Sequence, residues 1–428
     1  MVSGTGLVAV TYGAVRYGFG LQLPQLSAEF SLSSRTAGTI AAGSFAAYCV
    51  AALAAQRLIR SRGARGVLWL AATLAAGGAV VVALSWSAVV LALGVLVAGS
   101  AAGAASPALV VAVASTAPGP LVDRAQAVVN AGTGIGVGLT GVAVLLAPQA
   151  WRPVWVCAAG TVLLTAALVD RCALWPERPH AAPEAEWPRP VGNAPLAAEL
   201  ARPVLAAFIA GAGSAAVWTF GRDLVTSTGG LPERTTAALW VLLGAAAVLG
   251  GFSGDAVRLL GLRWAWVLTV ALSAAGTAAL ALAPSQVTIA AVAGTVFGGA
   301  YTALSGVLIS WAGALRPHDT GRTTATLFIA LTAGQAVGAA ATGALAERTG
   351  APAAFGVAAA VLLGSVSALP SKTHPSAADC ARAGTASGTR CRGALRSLPF
   401  GSPAVARRTG GPQRSRSTHE DRWPGSGG

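Results

Sequence analysis

Charged side chains are scarce in this chain. Only 10% of its 428 residues are charged, whereas 54% are hydrophobic. Soluble globular domains carry roughly a quarter charged residues, so this scarcity excludes an ordinary water-soluble protein. Apolar runs recur along most of the sequence, and each is close to the ~20 residues that a helix needs to cross the core of a bilayer. The composition therefore predicts an all-α polytopic membrane protein in contact with the lipid bilayer.

Residues that carry metal or redox chemistry are few and scattered. The five cysteines show no C-x-x-C spacing, the four histidines are isolated, and no H-E-x-x-H or P-loop motif is present. No metal site and no cofactor are expected, and the chain is predicted not to be an enzyme. A membrane-embedded enzyme is the alternative from another class, but it needs a polar constellation inside the spans, which the sequence does not show.

Acidic residues are missing from the middle of every predicted span. They fall at span ends or in loops, as at Asp123, Asp170, Asp223, Asp255 and Glu347. Proton-driven carriers often use a buried carboxylate as a relay. The sequence therefore does not establish proton coupling. It leaves uniport, exchange with a counter-substrate, and coupling through Asp223 or Asp255 open.

Charges, prolines and glycines divide the apolar sequence into two sets of six spans. This division predicts an amino-terminal half over 1–174, a polar linker over 175–200 and a carboxyl-terminal half over 201–369. The segment 370–428 is rich in Ser, Gly, Pro and Arg without a periodic apolar face, so it is predicted to be a disordered basic tail. The spans are placed at 2–23, 36–56, 67–86, 89–114, 125–146, 154–174, 202–221, 235–254, 264–283, 287–312, 323–345 and 353–369.

Basic residues are distributed unevenly between the two sets of loops. If the amino terminus is cytoplasmic, the inside loops hold 13 arginines before the tail and the outside loops hold five. Cytoplasmic loops of membrane proteins carry an excess of Lys and Arg. We therefore expect a multi-pass protein of the inner (plasma) membrane with both termini and the linker in the cytoplasm. The net charge of +14 is mostly a signal of this topology and does not require a nucleic-acid partner.

An arginine lies inside the first apolar run. Arg16 follows Tyr12 by four residues, so the two side chains share one helix face. An ionised guanidinium is costly in hydrocarbon and usually faces a protein interior or a water-filled path. Its planar fork suits carboxylate and phosphate groups. Arg16 and Tyr12 are therefore predicted to bind an organic anion; the alternative is that Arg16 snorkels or pairs with helix carbonyls.

Three further residues in apolar spans are candidate substrate contacts, namely Trp218, Tyr301 and Gln335. Tyr301 and Gln335 are equally suited to satisfy a hydrogen bond between helices. Arg222, near the end of the seventh span, is expected to pair with the adjacent Asp223 at the membrane interface.

Two sets of six spans around a polar linker resemble the major facilitator superfamily, whose substrate site lies near the midplane between two related halves. That superfamily carries a loop of the form Gly-x-x-x-Asp-Arg-x-Gly-Arg-Arg between its second and third helices. The corresponding loop here keeps Gly63 and Arg65 but has Gln56 and Arg60 where Gly and Asp are expected. The amino-terminal half therefore departs from the pattern.

The matching loop of the carboxyl-terminal half keeps more of the pattern, with Gly251, Asp255 and Arg263. Asp255 lies at the carboxyl end of its predicted helix, where the helix dipole disfavours a carboxylate. It therefore needs a partner, such as Arg258, Arg263 or the amino end of a neighbouring helix. The resemblance implies that such a contact latches the gate on the inner side; the alternative is a solvated loop carboxylate.

The fifth predicted span is rich in glycine. Gly136, Gly138 and Gly141 match the G-x-G-x-x-G pattern of dinucleotide sites, but that function requires a preceding strand, which is absent from this apolar run. Close packing of helix backbones is the better explanation. The span is similar to the glycine-rich fifth helix of exporters in the superfamily.

The closest resemblance is to the YbfB/YjiJ-type subgroup, carried by the run from Tyr12 to Gly18 and by the Leu23-Pro24 pair. It implies a secondary transporter of a small solute that works by alternating access, and Arg16 favours an organic anion as that solute. The alternative is an exporter of amphipathic drugs or metabolites. A transport-inactive sensor is a third interpretation, which the altered loop at Arg60 keeps open.

Overall fold

The computed structural model describes residues 1–118, 121–175 and 193–369, and every regular element among them is helical. The predicted disordered tail and most of the predicted linker lie outside these residues. The all-α prediction is confirmed for the described part of the chain. The α-helices are α1 Val2–Val8, α2 Gly18–Leu21, α3 Leu23–Phe30, α4 Ser34–Ala83, α5 Ala88–Thr116, α6 Val122–Leu146, α7 Trp151–Cys172, α8 Asn193–Asp223, α9 Glu233–Ala247, α10 Ser253–Leu260, α11 Leu262–Leu282, α12 Val287–Leu315, α13 Thr320–Thr349 and α14 Ala351–Gly364.

Shorter helical segments join some of these elements. A π-helical segment, Ala9–Arg16, connects α1 to α2, and another, Leu224–Thr228, extends α8. Segments of 3-10 helix occupy Val248–Phe252, Pro317–Asp319 and Ser365–Ala368.

Ten helices of the described residues are long and apolar enough to cross a membrane. One of them, α4, is 50 residues long and is broken at Gly63. The first predicted span is not among the ten, because the π-helical segment and a break at Gln22 divide it into short pieces. Dividing α4 at Gly63 and taking residues 2–30 as one stretch gives twelve segments in the described chain. The boundaries differ most at α8, which begins at Asn193, inside the predicted linker, because hydropathy marks the membrane-embedded part of a helix rather than its end.

Two glycines reverse the chain in the loops that resemble the superfamily motif. Gly63 has φ 77° and Gly261 has φ 78°, a left-handed backbone that residues with a Cβ rarely adopt. A Cβ at either position would meet no atom within 4 Å. The backbone conformation, and not the available space, therefore demands glycine at both turns.

The glycines of α6 allow close packing on two sides. A Cβ at Gly13 of the π-helical segment would lie 2.5 Å from the Gly136 Cα, and a Cβ at Gly134 would lie 2.8 Å from the Gly244 carbonyl of α9. Such approaches leave no room for larger side chains. The run therefore joins helices, as its apolar context predicts, and no strand precedes it among the described residues.

The helices α1–α7 meet the helices α8–α14 along the middle of the bundle. There α2 and α3 pack on α8, α4 packs on α13, and α6 packs on α9. We call the end of the bundle that holds Arg65 and Asp170 the Arg65 end, and the opposite end the Arg222 end. Regular α-helix is first interrupted by the π-helical segment that ends at Arg16 and again at Gln22. Both interruptions lie between these two ends and position the candidate site.

Candidate functional site

Arg16 is the last residue of the π-helical segment, and its side chain is only 7% exposed. The Tyr17 amide donates to the Tyr12 carbonyl, five residues back, at 3.2 Å. Single π-helical turns inside α-helices are frequent at functional sites, because the extra residue changes the direction of the side chains that follow. Here it turns Arg16 inward, between the two sets of helices.

The guanidinium of Arg16 contacts α13 directly. Its Nη2 donates to Thr332 Oγ1 at 3.0 Å and to Gln335 Oε1 at 2.8 Å. Both partners are neutral side chains, and they use the two hydrogens of Nη2. Arg16 therefore joins the first helical stretch to α13 across more than 300 residues of sequence. In this conformation the partners of Arg16 are side chains of α13 and not helix carbonyls.

Four aromatic rings surround the Arg16 guanidinium. Its Cζ lies 4.1 Å from the ring centroid of Tyr48, 5.4 Å from those of Tyr12 and Phe45, and 5.5 Å from that of Tyr17. A cation within about 6 Å of an aromatic centroid is attracted by the ring, and more strongly where water is excluded. The rings lower the cost of burying this charge but supply no counter-charge.

Gln335 links Arg16 to Tyr301 through hydrogen bonds. Its Nε2 donates to the Tyr301 hydroxyl at 2.9 Å, so the amide bridges the arginine and the phenol. Trp218 completes the group: its ring lies 5.5 Å from that of Tyr301 and stacks on Tyr17 at 4.2 Å. The structure thus brings all five predicted substrate contacts together around one charge.

The positions of the few tyrosines are a sequence feature from which more of this site could have been predicted. The chain has four tyrosines, at positions 12, 17, 48 and 301, and all four lie in the cluster around Arg16. A rare amphipathic residue in an apolar chain is expensive to bury without a partner. Sequence reasoning missed Tyr17, Tyr48, Phe45 and Thr332. The last three lie on α4 and α13, and hydropathy does not predict that these helices pack beside Arg16.

Arg222 does not pair with Asp223, and the predicted interfacial pair is wrong. Its side chain is fully buried, and its Nη1 donates to the Leu21 carbonyl at 2.6 Å and to Gln25 Oε1 at 2.9 Å. Asp223 instead accepts a bond from Ser227 at 2.9 Å. Adjacent residues on a helix point about 100° apart, so neighbours in sequence do not face each other.

A hydrogen-bonded network closes the Arg222 end of the bundle. Glu233 Oε2 accepts from Gln25 Nε2 at 3.3 Å and from Gln149 Nε2 at 3.1 Å. Arg222 Nε also donates to Thr236 Oγ1 at 3.2 Å. These contacts join α3 and the α6–α7 loop to α8 and α9. They form a latch between the two sets of helices that sequence reasoning did not identify, because its members are spread over four elements.

The predicted gating residues lie at the Arg65 end. Arg65 makes a two-bond ion pair with Asp170 of α7, with Nε–Oδ1 at 2.6 Å and Nη2–Oδ2 at 2.9 Å. In the altered amino-terminal loop, Arg65 therefore pairs with a carboxylate. That carboxylate belongs to α7 and does not stand at the Asp position of the loop motif. Gly63 supplies the turn that places Arg65 on the returning helix.

In the carboxyl-terminal loop, Asp255 pairs with Arg258, three residues along the same helix, and both side chains are at least half exposed. Gly251 lies in the 3-10 segment before α10, and Arg263 is exposed at the start of α11. In this conformation the ion pair of Asp255 therefore lies within α10 and does not join two helices.

Comparisons with known proteins identify the type of molecule. The profile of the family described as "Uncharacterised MFS-type transporter YbfB" matches residues 8–369. No curated protein sequence matches the chain.

Solved structures resemble the fold at low sequence identity. The nucleoside transporter NupG aligns with a TM-score of 0.70 at 10% identity, covering 86% of this chain and 98% of the other. A D-xylose-proton symporter aligns at 0.68 with 13% identity, covering 85% and 95%. A bacterial homolog of the human lysosomal transporter Spinster, inward-facing and occupied, aligns at 0.59 with 16% identity, covering 86% and 93%. At these identities the likeness concerns the fold alone.

Proposed function

We propose that this chain, which belongs to the YbfB-type family of major facilitator superfamily transporters, moves a small organic anion across the membrane by alternating access. The protein is a multi-pass membrane transporter and not an enzyme. The class of the solute and the alternating-access mechanism are the parts that the proposal adds.

The observation that carries the proposal is a buried positive charge without a negative partner. Ion pairs within the described residues join Arg65 to Asp170, Arg152 to Glu29, and Arg258 to Asp255, and none of them includes Arg16. A buried ion that lacks a counter-charge costs several kcal/mol, even after relaxation of its surroundings. A carboxylate substrate would supply the missing charge at the place where the two sets of helices meet.

The hydrogen bonds of Arg16 connect binding to movement. A carboxylate that binds through both Nη groups must take a hydrogen of Nη2 from Thr332 or Gln335, since both are used in this conformation. Substrate binding would therefore break one of the two hydrogen bonds that hold α13 to the first helical stretch. Transporters of this type rock two bundles around a central site, and this exchange of partners is a physical route to that motion.

The aromatic cluster supports the alternative function, an exporter of amphipathic compounds. Trp218 lies at 5.7 Å from Phe297 and 5.5 Å from Tyr301, and the last two rings stack at 5.6 Å. These rings are buried in this conformation, and in a state that exposes them they would bind flat apolar groups without a specific charge. Arg16 opposes a cationic compound, so removal of its charge should leave the binding of a neutral amphipath unchanged and improve that of a cationic one.

The gating proposal concerns the Arg65 end. Gly63 and Arg65 in one loop, and Gly251, Asp255 and Arg263 in the other, are proposed to control access on the cytoplasmic side. The turns at Gly63 and Gly261 support this proposal, because they give the two loops the same backbone course. For Asp255 we propose that its partner changes from Arg258 to a neighbouring helix in the opposite state.

The orientation of the bundle gives a first prediction. If the Arg65 end is cytoplasmic, a single cysteine in the 175–200 linker or in the 370–428 tail should react only with reagents that cross the membrane. A cysteine at Leu231, in the loop before α9, should react with impermeant reagents in intact cells. The loop charges support this orientation, since basic loops stay inside. Labelling of the linker from outside would contradict it.

A transport assay tests the proposed function directly. We expect proteoliposomes that contain the full chain to exchange a radiolabelled carboxylate for an unlabelled one, and a panel of small organic acids, sugars, nucleosides and neutral amphipaths should identify anions as the accepted class. An imposed pH gradient in the same vesicles separates coupling to protons from exchange with a counter-substrate. Flux of the neutral compounds alone would favour the alternative.

A further inference from the structure

A small cavity lies beside Arg16 on the side of the Arg222 end. Its volume is about 10 Å³, which is about the space that one water molecule needs. The wall contains residues of five helical elements, namely Arg16, Tyr17, Phe19, Gly20, Ala41, Ser44, Phe45, Val95, Trp218 and Thr219. We call this cavity the Thr219 chamber. It is separate from the contacts of Nη2 with α13.

Three side chains of the chamber wall have polar atoms without a partner among the described residues. These atoms are Arg16 Nε, Trp218 Nε1 and Thr219 Oγ1. Their side chains are 7%, 2% and 2% exposed, so water outside the protein does not satisfy them. A buried polar group in a folded protein almost always has a hydrogen-bond partner. Because all three residues line the same cavity, one particle bound there would be able to satisfy all three groups.

The hydrogen-bonding groups of the wall indicate the charge of that particle. The Nε of arginine and the Nε1 of tryptophan can only donate hydrogen bonds, and the threonine hydroxyl can also donate. A cation is excluded, because two of the three groups cannot accept and one of them carries a positive charge. Water would accept from the donors but would leave the charge of Arg16 without compensation.

We propose that the Thr219 chamber binds one small monatomic anion, with chloride as the probe. Such an anion accepts from all three donors, needs no acceptor in return, and neutralises Arg16 while its Nη2 is held by α13. The chamber is too small for a carboxylate with its carbon skeleton, so the anion is distinct from the organic solute of the proposed function. It would act as the counter-ion of Arg16 when no substrate is bound.

The test is equilibrium binding of radiolabelled chloride to the purified full chain in a non-ionic detergent and Tris–sulfate buffer. We expect saturable binding of about one ion per protein. Thr219→Val removes the hydroxyl and keeps the shape, and Trp218→Phe removes the N–H and keeps an aromatic ring. Each should weaken binding by about tenfold, because one hydrogen bond to a charged acceptor is lost.

A matched control distinguishes the site from general effects of substitution. Thr277 is a fully buried threonine of α11 whose hydroxyl donates to the Ser273 carbonyl at 2.9 Å, outside the chamber. Thr277→Val should bind chloride as the wild type does. Absence of saturable binding in the wild type would mean that the chamber holds only water and would overturn the proposal. Equal binding by wild type, Thr219→Val and Trp218→Phe would also overturn it, since the ion would then lie elsewhere. The assay contains no organic anion, so its result is independent of the transport proposal.

Discussion

Replacing Arg16 with alanine is expected to abolish transport of a carboxylate substrate. The substitution removes the positive charge at the centre of the aromatic cluster and both contacts with α13. Loss of one partner from a buried charged interaction costs about 3–5 kcal/mol, so binding should weaken by roughly two to three orders of magnitude. Counterflow in proteoliposomes, with the carboxylate found in the substrate panel, measures the effect.

Arg16→Lys distinguishes charge from geometry. Lysine keeps the charge but loses the planar fork, so binding should weaken while some transport survives. Arg35→Ala is the matched control, because Arg35 is exposed at the start of α4 and should leave transport unchanged. If Arg16→Ala elutes normally in size-exclusion chromatography and still transports the carboxylate at the wild-type rate, Arg16 is not the anion-binding group. Unchanged or improved transport of an amphipath by that variant would favour the exporter.

Replacing Arg222 with alanine is expected to open the Arg222 end of the bundle. The guanidinium bonds to Leu21 and Gln25 of the other set of helices, so its removal breaks these contacts of the latch and leaves only those that Glu233 accepts. A hydrogen bond to a charged group contributes about 1.5–3 kcal/mol. Loss of even one such bond shifts an equilibrium between two states by about tenfold or more. The population open at this end should rise by at least that factor.

A cysteine at Ser44 reports this opening. Ser44 is 5% exposed and lies in the wall of the Thr219 chamber, between the Arg222 end and Arg16. In a background without the native cysteines, Ser44→Cys should react slowly with an impermeant thiol reagent from outside, and Arg222→Ala should raise that rate about tenfold. Arg234→Ala, which changes an exposed arginine of the same region, should leave the rate unchanged. Equal rates in all three proteins would show that Arg222 does not hold this end closed.

The residues that sequence analysis selected for the binding site share one property. Arg16, Tyr12, Trp218, Tyr301 and Gln335 are polar or amphipathic groups in apolar runs, and the cost of placing them in hydrocarbon is what made them candidates. The structure places all five in one cluster. Their role in binding stays a prediction, but their proximity follows from the same cost, since buried polar groups must satisfy one another.

The partner of Arg222 was predicted wrongly. Its neighbour Asp223 offered an obvious partner in sequence, whereas the structure turns the guanidinium toward Leu21 and Gln25, about 200 residues earlier in the chain. The Arg65–Asp170 pair is a second case, because Asp170 lies at the end of α7 and outside the loop motif. In both cases the partner depends on which helices pack side by side, and hydropathy does not predict which helices are neighbours.

The sequence by itself determined the class of protein, most of the helical spans and the presence of a charge that needs explanation. These properties arise from local composition, because a run of apolar residues crosses a bilayer regardless of its neighbours. Only the tertiary structure decided that Arg16 meets Thr332 and Gln335, that a latch closes the Arg222 end, and that three unpartnered donors surround one chamber. Such contacts depend on the relative positions of helices that are distant in sequence. Those positions are set by close backbone approach at residues such as Gly13, Gly136 and Gly244, because helices in lipid associate where small side chains let them pack.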